Sequence, residues 1–366
     1  MGRDHDPRGR PRRDAAGRPV TDRILITGAQ GFLGRYLAAD WLAAEPDAVI
    51  LGLGRSPALP DTFTHVVHWG DAALPAPLPP RLGRALATPR YGYRVINIAD
   101  GPALARAIRE VRPDIVVHLA AALRDDPPDR LVSTNIGGVV SLLGALRESS
   151  VVPRKVILGS SGSVYGADPG REPPFSEEAC CAPMDPYAAT KRAAEDLGRI
   201  LAEAASLPVV WGRIFNPVGA GQDERHLCGW LGRQIAEAGA GLRPPSVTVG
   251  ALDTTRDYID VRDVARALRV LAAHGQPGRA YNVASGRETS GEDVLAMLVG
   301  LGGLAAPVDV VRRPARRGDV ARSFADVSRL TALGYRPRHS LRDSLTAVLA
   351  YYRACVAARV VGAPGG

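Results

Sequence analysis

The chain has 366 residues, 46% of them hydrophobic, with a formal net charge of +8. This is the composition of a soluble globular protein able to bury one large core or two modest ones, and no apolar run approaches the roughly 20 residues that cross a bilayer. The positive charge is spread, with no lysine-rich run or interleaved aromatics, which argues against a nucleic-acid partner and for a positive cleft suited to a nucleotide diphosphate.

The first 23 residues hold seven arginines and four aspartates with almost no apolar residue, so they lack the core of a signal peptide and residues 1–22 read as a disordered basic tail. Next, Arg23 to Thr27 reads as a buried strand, a glycine-rich turn follows, and Phe32 to Ala44 has helical apolar spacing. A second strand is expected over Ala48 to Leu53. From about Ser56 to Tyr91 the chain is proline-rich and irregular, too long for an ordinary strand-to-helix connection, and reads as an insertion without assigned structure.

Further strands are expected near Arg94 to Ile98, Asp114 to Leu119, Lys155 to Gly159 and Pro208 to Phe215, with helices at Pro102 to Val111, Leu131 to Glu148 and Tyr187 to Ala205. Alternation of this kind gives an α/β fold, a doubly wound parallel sheet whose buried strands are continuously apolar. Beyond Asn216 shorter helices (Cys228 to Ala238, Ser290 to Leu301, Leu341 to Ala358) alternate with Pro- and Gly-rich links, as in a smaller C-terminal substrate domain. The strand, helix and strand of 257–283 read as returning to the sheet domain. The expected division is 23–215 plus 257–283 for dinucleotide binding, and 216–256 plus 284–358 for the substrate.

Four cysteines, Cys180, Cys181, Cys228 and Cys355, form no CxxC pair or metal-like cluster, so no metal is expected and the thiols suit a reducing cytoplasm. Gly28, Gly31 and Gly34 lie where the first strand hands over to a helix, a turn that lets backbone approach a pyrophosphate at the helix N-terminus. At the end of the second strand Arg55-Ser56 stands where an acidic residue would accept a ribose 2′-hydroxyl, which favours NADP over NAD.

Of 46 basic residues only two are lysines, Lys155 and Lys191. Lys191 lies one helical turn after Tyr187, and Asp185-Pro186 reads as the cap and first residue of their helix, so both side chains share a face. A nearby ammonium and a cationic nicotinamide both favour the phenolate of a group whose ordinary pKa is about 10, making Tyr187 a candidate general acid/base. Upstream, Ser160-Ser161-Gly162-Ser163-Val164-Tyr165-Gly166 ends an apolar strand; Ser161 is the first choice for a hydroxyl on the substrate oxygen and Ser163 the second.

These motifs, with His118-Leu119-Ala120-Ala121, Thr134-Asn135 and Arg256-Asp257-Tyr258, resemble the extended short-chain dehydrogenases/reductases that act on nucleotide sugars, over about residues 22–354. The resemblance implies an NAD(P)-dependent enzyme with Ser161, Tyr187 and Lys191 as catalytic residues. It further implies that Phe32, Leu33, Leu119, Ala120, Ala121 and Asn135 belong to the cofactor site, that Asn97 and Ile98 lie against the adenine, and that Ile214 and Phe215 lie near the nicotinamide. Asn216, Arg256 and Arg316 are implied on the nucleotide-sugar side, and a homodimer built on a helix pair is implied by the family alone.

Gly162-Ser163 replaces the acidic pair expected of a 4,6-dehydratase. The stretch from Val249 to Leu268 resembles 4-keto-6-deoxy sugar reductases, whereas 318–326 resembles sugar 4-epimerases. An epimerase reuses one tightly held NAD⁺; a reductase exchanges its cofactor with the NADPH pool, and Arg55 fits the second. The expectation is a 4-ketoreductase of a nucleotide-diphosphate sugar, with a 4-epimerase as the alternative and a non-catalytic nucleotide-binding protein opposed by the intact Ser161, Tyr187 and Lys191.

Overall fold

In the computed structural model, residues 21–69, 72–167, 172–304, 307–313 and 320–362 are described; residues 1–20 of the tail expected over 1–22, and Arg316, lie outside them. The first unit is β1 (Arg23–Thr27), α1 (Phe32–Ala44) and β2 (Val49–Gly54), with β1 and α1 bounded as the apolar spacing requires. The insertion expected over Ser56 to Tyr91 carries two strands and a helix: β3 (Thr62–Trp69) and β4 (Ala72–Pro77) pair antiparallel as a hairpin, followed by α2 (Pro80–Leu86).

The chain continues through β5 (Tyr91–Val95), α3 (Gly101–Val111) and β6 (Ile115–His118). Next, α4 (Pro128–Leu131) runs through a π-helical turn at Val132–Ile136 into α5 (Gly137–Ser149), and β7 (Lys155–Ser161), α6 (Pro186–Ala204) and β8 (Val209–Ile214) follow. Then come β9 (Asn216–Val218), α7 (Leu227–Gly239), β10 (Ser246–Val249), β11 (Thr255–Asp260), α8 (Val261–His274) and β12 (Ala280–Val283). The remaining elements are β13 (Glu288–Ser290), α9 (Gly291–Gly302), β14 (Asp309–Arg312), β15 (Arg322–Ser323), α10 (Ser328–Ala332) and α11 (Leu341–Gly362).

Seven strands form one parallel sheet in the order β12-β8-β7-β6-β1-β2-β5. α1 packs with α8 on one face; α3, α5 and α6 pack together on the other. The order reverses between β1 and β6, and open α/β sheets bind ligands in the crevice at such a switch point. β12 joins this sheet, as the sequence suggests, but β11 does not. It pairs with β9, β13 and β15 instead, because its partners come from the C-terminal region.

The hairpin is welded on from both ends. Phe63, Val67, Trp69 and Ala76 are buried in the cluster that also holds Leu37 and Trp41 of α1 and Leu231 and Ile235 of α7. At its base, Gln30 Nε2 donates to Pro57 O at 2.8 Å and Arg35 Nη2 to Thr62 O at 3.1 Å. At its far end, His68 N donates to Glu224 Oε1 at 3.2 Å. Truncating a buried phenylalanine costs about 3–5 kcal/mol, so Phe63→Ala, at 1% exposure, should lower stability by that order in urea unfolding. Val66→Ala, at 39% exposure on the same strand, should leave the midpoint nearly unchanged.

Candidate active site

The glycine turn allows β1 to lie hard against the end of β6. Gly28 has φ +69°, and a Cβ there would stand 2.7 Å from Ala120 N; a Cβ on Gly34 would stand 2.3 Å from Gly28 O. Ala120 N donates to Thr27 Oγ1 at 3.3 Å, and that hydroxyl lies 2.8 Å from His118 Nδ1. Burial, with a smaller contribution from the Lys191 charge, takes the His118 pKa down to about 3, so the imidazole beside the Thr27 hydroxyl is neutral. Gly31, the N-cap of α1, offers no side-chain acceptor, which leaves the first-turn N–H groups to a ligand.

Thr27, Gly28, Gly31 and Ala120 line a groove of about 360 Å³. Of the residues named from sequence, Gly28, Gly31, Arg55, Ser56, Asn97, Ile98, Leu119, Ala120 and Ala121 lie in its wall. Arg55 is exposed at the end of β2, and Ser56 is held by Tyr93 Oη, which donates to its carbonyl at 2.9 Å. The insertion adds Thr64 and His65 to the wall, and the loop after β9 adds Arg225. Nothing in the irregular composition of 56–91 had pointed to them. A glycine cradle, an uncapped helix start and an apolar slot past Leu53 and Ile98 suit a dinucleotide.

Other expected cofactor residues are placed differently. Phe32 packs edge-on against Tyr36 and Phe63, and Leu33 lies against the core. Asn135 is buried in the π-helical turn, with Oδ1 accepting from Ala122 N at 2.9 Å and Nδ2 donating to Thr190 Oγ1 at 3.1 Å. It joins the loop after β6 to α6. Ile214 and Phe215 are buried, and the Phe215 ring sits under Gly162, where a Cβ would stand 2.8 Å from it.

Ser161, Ser163, Tyr187 and Lys191 come together at the ends of β7 and α6. Asp185 caps α6, its Oδ1 accepting from Ala188 N at 2.9 Å, with Pro186 at the first helical position. Ser163 Oγ donates to Ser161 Oγ at 2.9 Å, and Ser161 hydrogen-bonds the Tyr187 hydroxyl. Lys191 Nζ donates to Gly159 O at 3.0 Å and lies 6.0 Å from the Tyr187 ring centre.

Burial raises the Tyr187 pKa above the ordinary phenol value, opposed by the Ser161 hydrogen bond and the Arg124 charge. The sequence expectation of a lowered phenol is therefore not met by the chain's own groups. Desolvation outweighs the Ser161 hydrogen bond and the Arg124 charge. Burial also takes Lys191 down to about 8, with Glu195, one turn further along α6, pulling it back up.

Glu195 is half of a buried ion pair. Arg213 grips it with Nε to Oε1 at 3.1 Å and Nη2 to Oε2 at 2.8 Å, the side chains 1% and 3% exposed. Arg213 Nη1 donates on to Tyr165 Oη at 3.0 Å, and Tyr165 donates to Asn282 Oδ1 at 2.6 Å.

On the expected substrate side, Asn216 Nδ2 donates to Asp257 O at 2.8 Å. Arg256 Nη1 donates to Thr255 O at 2.8 Å and Val320 O at 2.7 Å. Asp257 accepts from Ser285 N, Ser285 Oγ and Gly286 N at 2.7–2.9 Å, pinning β11 to the loop after β12. Arg124, which the sequence reading passed over, pairs with Asp185 at 3.1 Å beside the serine, tyrosine and lysine.

Removing one partner of a buried ion pair costs about 3–5 kcal/mol, while replacing both by apolar groups of similar shape is far milder. Glu195→Gln and Arg213→Met should each lower unfolding stability by that order. Glu195→Leu combined with Arg213→Met should recover most of it, as read by denaturant midpoints.

Residues 24–284 match the model of the NAD dependent epimerase/dehydratase family. The GDP-6-deoxy-D-mannose reductase of Pseudomonas aeruginosa is 31% identical over 90% of this chain and 97% of its own length. The UDP-glucose 4-epimerase of Mycolicibacterium smegmatis is 30% identical over 90% of this chain and 98% of its own. The structure of the Pseudomonas aeruginosa protein RMD complexed with NADPH superposes with a TM-score of 0.74 at 28% identity, covering 92% of this chain and all of that one. With the glycine turn, the SSGSVYG strand end and the Tyr187–Lys191 helix in one fold, the chain belongs to the NAD dependent epimerase/dehydratase family, within the extended short-chain dehydrogenases/reductases.

Proposed function

We propose that the protein is an NADPH-dependent 4-ketoreductase of a nucleotide-diphosphate sugar. The observation that carries this reading is Arg55, exposed at the end of β2 in the wall of the groove, where a guanidinium suits a ribose 2′-phosphate and an acidic side chain would suit a free 2′-hydroxyl. The Pseudomonas aeruginosa relatives, a reductase by name and a structure with NADPH, support it. When bound, the nicotinamide supplies hydride to C4 of the sugar.

Tyr187 gives its proton to the C4 oxygen, a role for which a raised pKa keeps the phenol protonated at neutral pH. Ser161 accepts from Ser163 and hydrogen-bonds the Tyr187 hydroxyl, which places it beside the same oxygen. Lys191, anchored on Gly159 O, reaches the ribose with its remaining donors. Gly28, Gly31 and Gly34 shape the pyrophosphate turn. Asn216, Arg256 and Arg316 are assigned to the substrate diphosphate. The substrate part is then 216–260 with 284–358, and the dinucleotide part 23–215 with 261–283.

A second reading, a 4-epimerase, is favoured by the hairpin, whose Thr64 and His65 add a fixed wall to the groove and suit a cofactor that stays bound. The Mycolicibacterium smegmatis relative is in line with it. The reductase predicts loss of the reduced-nicotinamide absorbance when NADPH and a 4-keto nucleotide sugar are mixed with the enzyme. Tyr187→Phe should cut turnover by roughly 10²–10⁴-fold, and Arg55→Asp should shift preference towards NADH. Absorbance unchanged with every nucleotide tried, in protein that purifies with NAD⁺ and interconverts UDP-sugars, would give the epimerase instead.

We place the enzyme in the cytoplasm as a homodimer. Val132, Val140, Leu197 and Ile200 are exposed on the packed α5 and α6 region, an apolar face that a second copy would cover. Light scattering should give twice the chain mass, and Leu197→Asp with Ile200→Asp should halve it.

A further inference from the structure

Tyr187 is approached by three charged groups. Lys191 comes from its own helix, and Asp185 caps that helix two residues before it. Arg124 comes from the loop between β6 and α4, and its Nη2 lies 3.1 Å from Asp185 Oδ2. Ser161 hydrogen-bonds the phenol, and Ser163 donates to Ser161.

We propose that Arg124 is a positioning residue, held at the start of α6 by its pair with Asp185, and that its guanidinium acts on the Tyr187 phenol from there. This rests on the reading of Tyr187 as the proton carrier. Asp185 divides its two oxygens between two tasks: Oδ1 caps Ala188 N, and Oδ2 takes Arg124. The pair thereby ties the loop 119–126, which forms one wall of the groove, to the first turn of the helix that presents Tyr187.

Arg124 and Asp185 act on the phenol with opposite sign. The guanidinium favours phenolate and the carboxylate disfavours it, both after the larger effect of burial and the Ser161 hydrogen bond. A bare structural strap has no such sign: breaking it from either side would loosen the same contact in the same way. The direction of the effect also does not depend on the reaction chosen, since Tyr187 serves as acid in reduction and as base in oxidation.

The test follows the Tyr187 titration in two ways, by the pH profile of kcat/KM and by NMR of ¹³Cζ-labelled tyrosine, with the Tyr187 signal assigned through its absence in Tyr187→Phe. Arg124→Gln should move the Tyr187 limb to higher pH, and Arg124→Lys should stay near the parent. Asp185→Asn, whose amide oxygen still caps Ala188 N, should move it to lower pH. Shifts of the same sign in Arg124→Gln and Asp185→Asn, or no shift in either, would overturn the proposal. If Tyr187→Phe keeps full turnover, the proton-carrier reading fails on its own, and the NMR titration still decides whether Arg124 sets the charge at the phenol.

Discussion

The ion pair between Arg213 and Glu195 is the joint on which the Tyr187 face of the fold hangs. Glu195 sits one turn beyond Lys191 on α6, and Arg213 lies in β8, so the pair fixes the helix that presents Tyr187 against the sheet. Through Tyr165 it reaches the SSGSVYG strand end. Through Asn282, whose Nδ2 donates to Phe175 O at 2.8 Å and Asp326 O at 3.0 Å, it reaches the C-terminal region. Two buried charges are costly to desolvate, and an apolar pair could match their stability. What they add is a bidentate geometry, together with a negative charge that holds up the pKa of a buried lysine.

The groove depends on a second constraint, the absence of side chains where strands meet. β1 and β6 diverge in topology at the switch point, and their carboxyl ends must nonetheless pack within backbone distance. Gly28 permits this, with a positive φ and no Cβ to strike Ala120. The Thr27 hydroxyl then bridges Ala120 N and His118 Nδ1, so the loop that follows β6 leaves at a fixed angle. Leu119 to Ala121 and Arg124 take their positions from that departure.

The parallel sheet and the Tyr187 helix were legible because burial on both faces makes strands continuously apolar and because Asp-Pro marks a helix start. The hairpin was not read, although Phe63, Val67 and Trp69 recur at alternate positions as a half-buried strand requires. Pro75 and Pro77 in the partner strand hid the pairing, and proline is tolerated there only because β4 is an edge. Asn135 was named for the cofactor from its motif, yet its amide is engaged by Ala122 and Thr190. Arg124 and Arg225 could not be singled out from sequence. In a chain where nearly every basic residue is arginine, only position in the fold separates one that faces a phenol or a groove from one that faces water.

The two lysines show how far rarity alone carries. Lys155 opens β7 and its ammonium donates to Gly275 O; Lys191 donates to Gly159 O near the other end of the same strand. Burial lowers the pKa of both. At each place a compact charge meets one backbone carbonyl. What separates them is their surroundings: Lys155 closes a loop at the amino end of the strand, whereas Lys191 lies at the carboxyl end, within 6.0 Å of the Tyr187 ring centre, where the sheet places its chemistry.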